Sequence, residues 1–169
     1  MYIKPIFSWR GKTNGMKIYM GILVLILFTL DQYSKYLIRL NFDLFQSKSI
    51  FYLLDLIYVP NYGVAFNILN NESLNLGFVF SLFVFFICLY LVWLIFINQV
   101  KTNNIELISL SLILAGGLGN LIDRVSLGYV VDFIAIKFNP YVFNFADVYI
   151  TIGIMLYLIN YLLVKEQNS

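Results

Sequence analysis

The sequence contains no histidine, a single cysteine (Cys88), and only 12% charged residues among its 169. Each shortage removes a class of chemistry. Without an imidazole, Ser-His-Asp and Cys-His nucleophile systems have no base. Zinc sites need several His or Cys ligands, and these are missing too. One cysteine closes no intramolecular disulfide. Within the run LFVFFICLYLVW, Cys88 reads as a buried, inert thiol. The net charge is +2, and no Lys/Arg cluster is dense enough to leave a nucleic-acid footprint.

What is present in excess is apolar: 61% of the residues are hydrophobic and the mean hydropathy is +0.83. A soluble domain carries about 45–50% apolar and about 25% charged residues, so this surplus calls for lipid as solvent. The length suits a single integral membrane domain over 1–169. Four spans are expected, over 18–40, 74–97, 105–122 and 147–164. The second has 24 residues without a charge, enough to cross a hydrocarbon core of roughly 30 Å. The basic start and short apolar run also suit a secretory signal, but no small-x-small cleavage site follows. An uncleaved first helix running past Asp31 is therefore expected.

Four spans put both termini on one side. Lys4, Arg10, Lys12 and Lys17, with no acid among them, assign that side to the cytoplasm; Lys101 and Lys165 add little. Links 41–73 and 123–146 are then extracytoplasmic. In the first, SIFYLLDLIYVP reads as half-buried β structure, and Pro60-Asn61-Tyr62-Gly63 as a turn. The fold class expected is membrane all-α, with four transmembrane helices and a small extracytoplasmic β-sheet and loop layer.

Ionised side chains in lipid cost about 2.5–3.5 kcal/mol each on insertion scales, so each one calls for a reason. Asp31 and Lys35, four apart, share a helix face and suit either a mutual ion pair or contact with substrate. Asn120, Asp123 and Arg124 fall where the third span ends, as structural or substrate-orienting groups. Gly116, Gly117 and Gly119 allow close helix approach. Asp132 interrupts the apolar run YVVDFI, where burial disfavours the charged form. Asp147 follows a candidate N-cap, Asn144, and so sits in the first turn of the fourth span.

Two carboxyls in one pocket, one pushed towards neutrality and one towards charge, suit aspartic proteolysis. Ser34 beside Lys35 is a weaker alternative, since adjacent helix residues point about 100° apart. A non-catalytic transporter or scaffold would place its acids nearer the bilayer midplane than Asp123, Asp132 and Asp147 are expected to lie.

Five stretches carry a family resemblance: DQYSK at 31–35, NYGVAF at 61–66, GGLGNLIDR at 116–124, GYVVDF at 128–133 and FNFADVYITIG at 143–153. In them the chain resembles lipoprotein signal peptidase (signal peptidase II) of bacteria. The resemblance implies a cell-membrane aspartic endopeptidase with its site at the extracytoplasmic face and no cofactor or metal. Asp132 and Asp147 would be its catalytic pair. Asp31, Lys35, Asn61, Gly63, Asn120, Asp123, Arg124, Asn144 and Ala146 would shape or line the site. It further implies diacylglyceryl prolipoproteins as substrates, cleaved just before the lipidated cysteine, membrane lipid as surroundings, globomycin as inhibitor, and no nucleic-acid partner. Val64 stands where the family more often has Ala, and the link from Asp132 to Asn144 is short.

Overall fold

The computed structural model describes residues 10–63, 76–98 and 103–167. Lys4, Val64 and Lys101 lie outside the described residues. In chain order the elements are α1 (Arg10–Asn41), β1 (Ser47–Phe51), β2 (Leu54–Asn61), α2 (Leu76–Val92), α3 (Asn104–Leu127), β3 (Val130–Ile136), β4 (Val142–Phe143) and α4 (Phe145–Gln167). A single π-helical turn, Trp93–Ile97, continues α2. Among the described residues, four helical stretches are long and apolar enough to cross a membrane: Gly15–Asn41, Gly77–Ile97, Asn104–Leu127 and Phe145–Leu163.

α3 is the central post. It packs against α1, α2 and α4, and 56% of its apolar window is buried, against 17%, 17% and 11% for the others. Its polar residues explain this position: Ser109 and Ser111 return their hydroxyls to Ile105 O and Leu107 O, so that no free donor faces lipid. α2, by contrast, has no charged residue and no polar face, so lipid suits it on most sides.

The helix ends are chemically marked. Asn103 caps α3 by accepting from Glu106 N at 2.8 Å. Gly128 ends the helix at φ 83°, donating its N–H to Arg124 O. A residue with a Cβ is strained in that left-handed conformation, so the stop falls at glycine. The helix thus runs five residues past the expected 122, and Asp123 and Arg124 belong to its last two turns. At the opposite end of the bundle, Lys17 Nζ donates to Phe96 O and Asn98 O, both at 3.0 Å, covering carbonyls that the π turn leaves open.

The expected β structure forms as an antiparallel sheet in the order β1-β2-β3-β4. Pro60 and Asn61, expected in a turn, instead complete β2 opposite Val131 and Val130. The missing N–H of Pro60 is tolerated because β1 pairs no further along β2 than Ile57. The chain turns afterwards, at Tyr62 and Gly63. Tyr58, Val131 and Phe133 pack on Ile38 and Phe42, which seats the sheet on the end of α1.

The glycines of α3 set how closely the helices approach. A Cβ on Gly116 would collide with the Ala146 carbonyl oxygen and lie 2.7 Å from Ile150 Cγ1. On Gly117 it would meet only Cys88 Sγ, at 3.0 Å. Gly116→Ala should therefore lower stability by about 1–3 kcal/mol and Gly117→Ala by less than about 1. Thermal unfolding in detergent measures both; equal shifts would show that α3 and α4 have slack at this level.

Candidate active site

Asp132 and Asp147 reach one place from opposite directions. Asp132 projects from β3 and is 3% exposed; Asp147 lies in the first turn of α4 and is partly open. Asn144 joins them. Its Nδ2 donates to Asp132 Oδ1 at 2.7 Å, and its backbone N donates to Asp147 Oδ2 at 3.1 Å. Its Oδ1 accepts from Asp147 N at 3.0 Å, closing the reciprocal box expected of a helix N-cap.

Each carboxylate has a further amide donor. Asn61 Nδ2 donates to Asp132 Oδ2 at 2.8 Å. The Asn61 amide is held in that orientation because its Oδ1 already accepts from Gly63 N, at 2.8 Å. Gly63 has φ 79°, the second position where the fold depends on a glycine. Asn120 Nδ2 donates to Asp147 Oδ1 at 2.8 Å, while Asn120 Oδ1 accepts from Asn144 Nδ2 and from Lys35 Nζ.

Beneath the pair lies a buried ionic layer. Lys35 Nζ is 2.8 Å from Asp31 Oδ2 and 3.0 Å from Asp123 Oδ2, which with Asn120 occupies its three donors. The expected Asp31–Lys35 ion pair is present, and Asp123 makes it a triad. The two acids also grip the backbone. Asp31 Oδ1 accepts from Ala146 N at 2.9 Å, and Asp123 Oδ2 accepts from Val131 N at 3.1 Å. Ala146 and Val131 are the residues immediately before Asp147 and Asp132. One lysine thus ties together the two segments that carry the candidate pair.

Ala146 is fully buried, and its small side chain fits a narrow space. A Cβ on Gly119 would stand 3.3 Å from its methyl group and 2.5 Å from Asp31 Oδ2. Arg124 lies at the margin, with Nη1 3.4 Å from Asn120 O and the guanidinium 5.1 Å from the Phe80 ring centroid. Ser34 gives its hydroxyl to Asp31 O at 2.7 Å, not to Lys35, so no serine–lysine pair forms.

Sequence reasoning passed over Gln32. Its Nε2 lies within 3.0–3.2 Å of Gly119 O, Asp123 Oδ1 and Asp31 Oδ2, bracing the triad from α1. The signal was available, since a primary amide inside a membrane span calls for partners much as a charge does. The hydroxyl pair of Tyr58 and Tyr129, at 2.7 Å, was also missed; it joins residues 71 apart, which periodicity does not reveal.

Burial raises the Asp132 carboxyl to about 6; Asp147 nearby pushes the same way, and the Asn61 and Asn144 amides resist. The folded protein therefore holds a proton on Asp132 more tightly than the unfolded chain does. Stability falls as pH rises from about 4 to about 6, and ionised Asp132 costs on the order of 3 kcal/mol at neutral pH. Infrared titration should find a protonated-carboxyl band at pH 5 that fades around pH 6 and is absent from Asp132→Asn. A band unchanged by that substitution would assign the proton elsewhere.

Comparison with known proteins gives a consistent picture. A family model described as "Signal peptidase (SPase) II" matches residues 23–163. The lipoprotein signal peptidase of Streptococcus agalactiae serotype Ia is 40% identical over 156 residues, covering 90% of this chain and 96% of that one. The lipoprotein signal peptidase of Buchnera aphidicola subsp. Schizaphis graminum is 37% identical over 142 residues, covering 82% and 90%. A solved structure described as a bacterial membrane enzyme superposes with a TM-score of 0.75 at 31% identity, over 88% of this chain and 93% of that one.

Proposed function

This chain belongs to the signal peptidase II family, and from that premise we propose that it is a membrane aspartic endopeptidase acting on diacylglyceryl-modified bacterial prolipoproteins. It removes the signal peptide by cutting just before the lipidated cysteine. The observation that carries the aspartic assignment is Asn144, one residue whose side chain bonds Asp132 and whose backbone bonds Asp147.

The division of labour follows from the two environments. Asp147 accepts two hydrogen bonds at a helix amino terminus, where negative charge is favoured, so it serves as the base. Asp132, buried and raised to about 6, serves as the acid in its protonated form, which predominates only below about pH 6. Water between them gives a proton to Asp147 as its oxygen attacks the scissile carbonyl, and Asp132 gives its proton to the carbonyl oxygen. The resulting tetrahedral diol collapses with cleavage of the C–N bond. The leaving nitrogen takes the proton from Asp147, and one diol hydroxyl returns a proton to Asp132. Both residues end as they began.

The substrate enters sideways, with its acyl chains still among the lipids and against the apolar helix faces. The basic amino-terminal segment supports a cytoplasmic location for both termini and an extracytoplasmic location for the site. The test is cleavage by the purified protein of a synthetic lipobox peptide bearing diacylglyceryl cysteine, followed by mass spectrometry. Cleavage at the bond before the cysteine, blocked by globomycin and absent for the unlipidated peptide, is expected. A folded protein that cleaves neither peptide, or both alike, would end this reading.

A further inference from the structure

The end of the sheet remote from Asp132 carries apolar surface that neither the dyad nor the helix packing uses. β2 and β3 run from the Asn61–Val130 pair, next to the site, to the Leu54–Ile136 pair, about 23 Å away at strand rise. Two loops meet beyond that far pair. Tyr52 and Leu53 join β1 to β2, and Lys137 to Tyr141 join β3 to β4. They are fastened by Lys137 N donating to Leu53 O at 3.2 Å and by the Lys137 ammonium 5.1 Å from the Tyr52 ring centroid. Their side chains nevertheless point outward: Tyr52 is 83% exposed, Phe138 77% and Tyr141 76%. Lys48 stands on the neighbouring edge strand; of the acids near it in sequence, Asp55 is half-buried within the sheet and Asp43 is exposed before β1, at the opposite end of that strand from the tips.

We propose that these paired loop tips rest in the headgroup layer of the same leaflet from which α1 emerges, with Lys48 and Lys137 facing anionic headgroups. Position argues for lipid as the occupant. Ile38 of α1 and Phe42 just after it pack against Tyr58, Val131 and Phe133, so the sheet is fixed at the level of the end of α1. Only the residues between Asn41 and Ser47 separate helix from strand, which keeps the sheet from standing away from that surface. Lipid is thus present at high effective concentration, and the four spans have already met the entropic cost of association. Composition agrees: rings with a polar edge beside lysines match the side chains enriched at membrane interfaces. The apolar surface is continuous in kind with the exposed Leu44 and Phe45 that follow α1. Held at both ends, by α1 near its middle strands and by lipid at its tips, the sheet would present Asn61 and Asp132 at a constant height over the bilayer.

The inference is independent of the dyad, so an inactive Asp147→Asn protein should behave identically. Full-length protein carrying Cys88→Ala and either Tyr52→Cys or Phe138→Cys is labelled with an environment-sensitive fluorophore. It is then reconstituted in vesicles of phosphatidylcholine and phosphatidylglycerol. Nitroxides near the headgroup should quench both probes about twofold more than nitroxides deep in the chains, and more than aqueous iodide. A probe at Leu158→Cys, on the exposed face of α4, should show the reverse order of depth. Replacing phosphatidylglycerol, or making Lys48→Gln with Lys137→Gln, should weaken the shallow quenching. Strong iodide quenching without nitroxide quenching would place the tips in water and overturn the proposal. Self-quenching that grows with protein density would assign the patch to a second copy, and would overturn it equally.

Discussion

Asp132→Asn and Asp147→Asn, each made alone, will lower kcat on a diacylglyceryl lipobox peptide by about 10⁴-fold, because either change removes one half of the proton exchange. The two variants will differ in stability. At position 147 an amide offers one acceptor where the carboxylate offers two, and its NH₂ faces either Asn144 N or Asn120 Nδ2. Losing that hydrogen bond and the charge at the helix start should cost about 1–3 kcal/mol. Position 132 loses a comparable hydrogen bond from Asn61 or Asn144. Above pH 6, however, the substitution also removes a buried charge that the folded state disfavours. The effects oppose each other, so Asp132→Asn should unfold close to the parent temperature at neutral pH. Paired measurements of kcat and thermal unfolding separate catalysis from folding. A variant that keeps more than a few per cent of the parent kcat would remove its residue from the dyad.

The features legible in the sequence were those written in local pattern. Long apolar runs, charge-free only over 74–97, gave the four spans, the β-rich run SIFYLLDLIYVP gave sheet structure, and the spacing of Asn144 to Asp147 gave the cap. Asp31 and Lys35 were legible as a pair because both lie on one turn of one helix. Their third partner was not, since Asp123 lies on another helix and no periodicity joins positions 35 and 123. For the same reason Asn61 was placed near the site by family resemblance alone. Its bond to Asp132 exists because β2 and β3 pair with an irregularity between Leu56 and Val59. The end of α3 was set too early because polar residues were taken as the end of the span, whereas Gly128 ends the helix. Buried polar networks invert the usual guide: α3 holds its polar side chains inside, where they find partners, and α2 turns apolar ones outward to lipid.

Of these single substitutions, Lys35→Met should cost the most stability. It leaves Asp31 and Asp123, 0% and 2% exposed, as two uncompensated carboxylates inside a membrane bundle. Breaking a buried ion pair by removing one partner costs about 3–5 kcal/mol. Both acids also hold the backbone beside the dyad, through Ala146 N and Val131 N. Any shift they make to escape one another moves Asp147 and Asp132, and a displacement of about 1 Å is enough to lower kcat about 100-fold. The triple variant Asp31→Asn, Lys35→Met, Asp123→Asn tests whether the lysine acts through placement or through its charge. It removes every charge of the triad, yet the amide oxygens at 31 and 123 can still accept from Ala146 N and Val131 N. If Lys35 is a positioning residue, the triple variant regains most of the unfolding temperature and most of the kcat lost by Lys35→Met. Recovery of stability without recovery of kcat would mean that the ammonium, relayed through Asn120 to Asp147, takes part in the charge balance of the reaction. The placement account would then have to be given up.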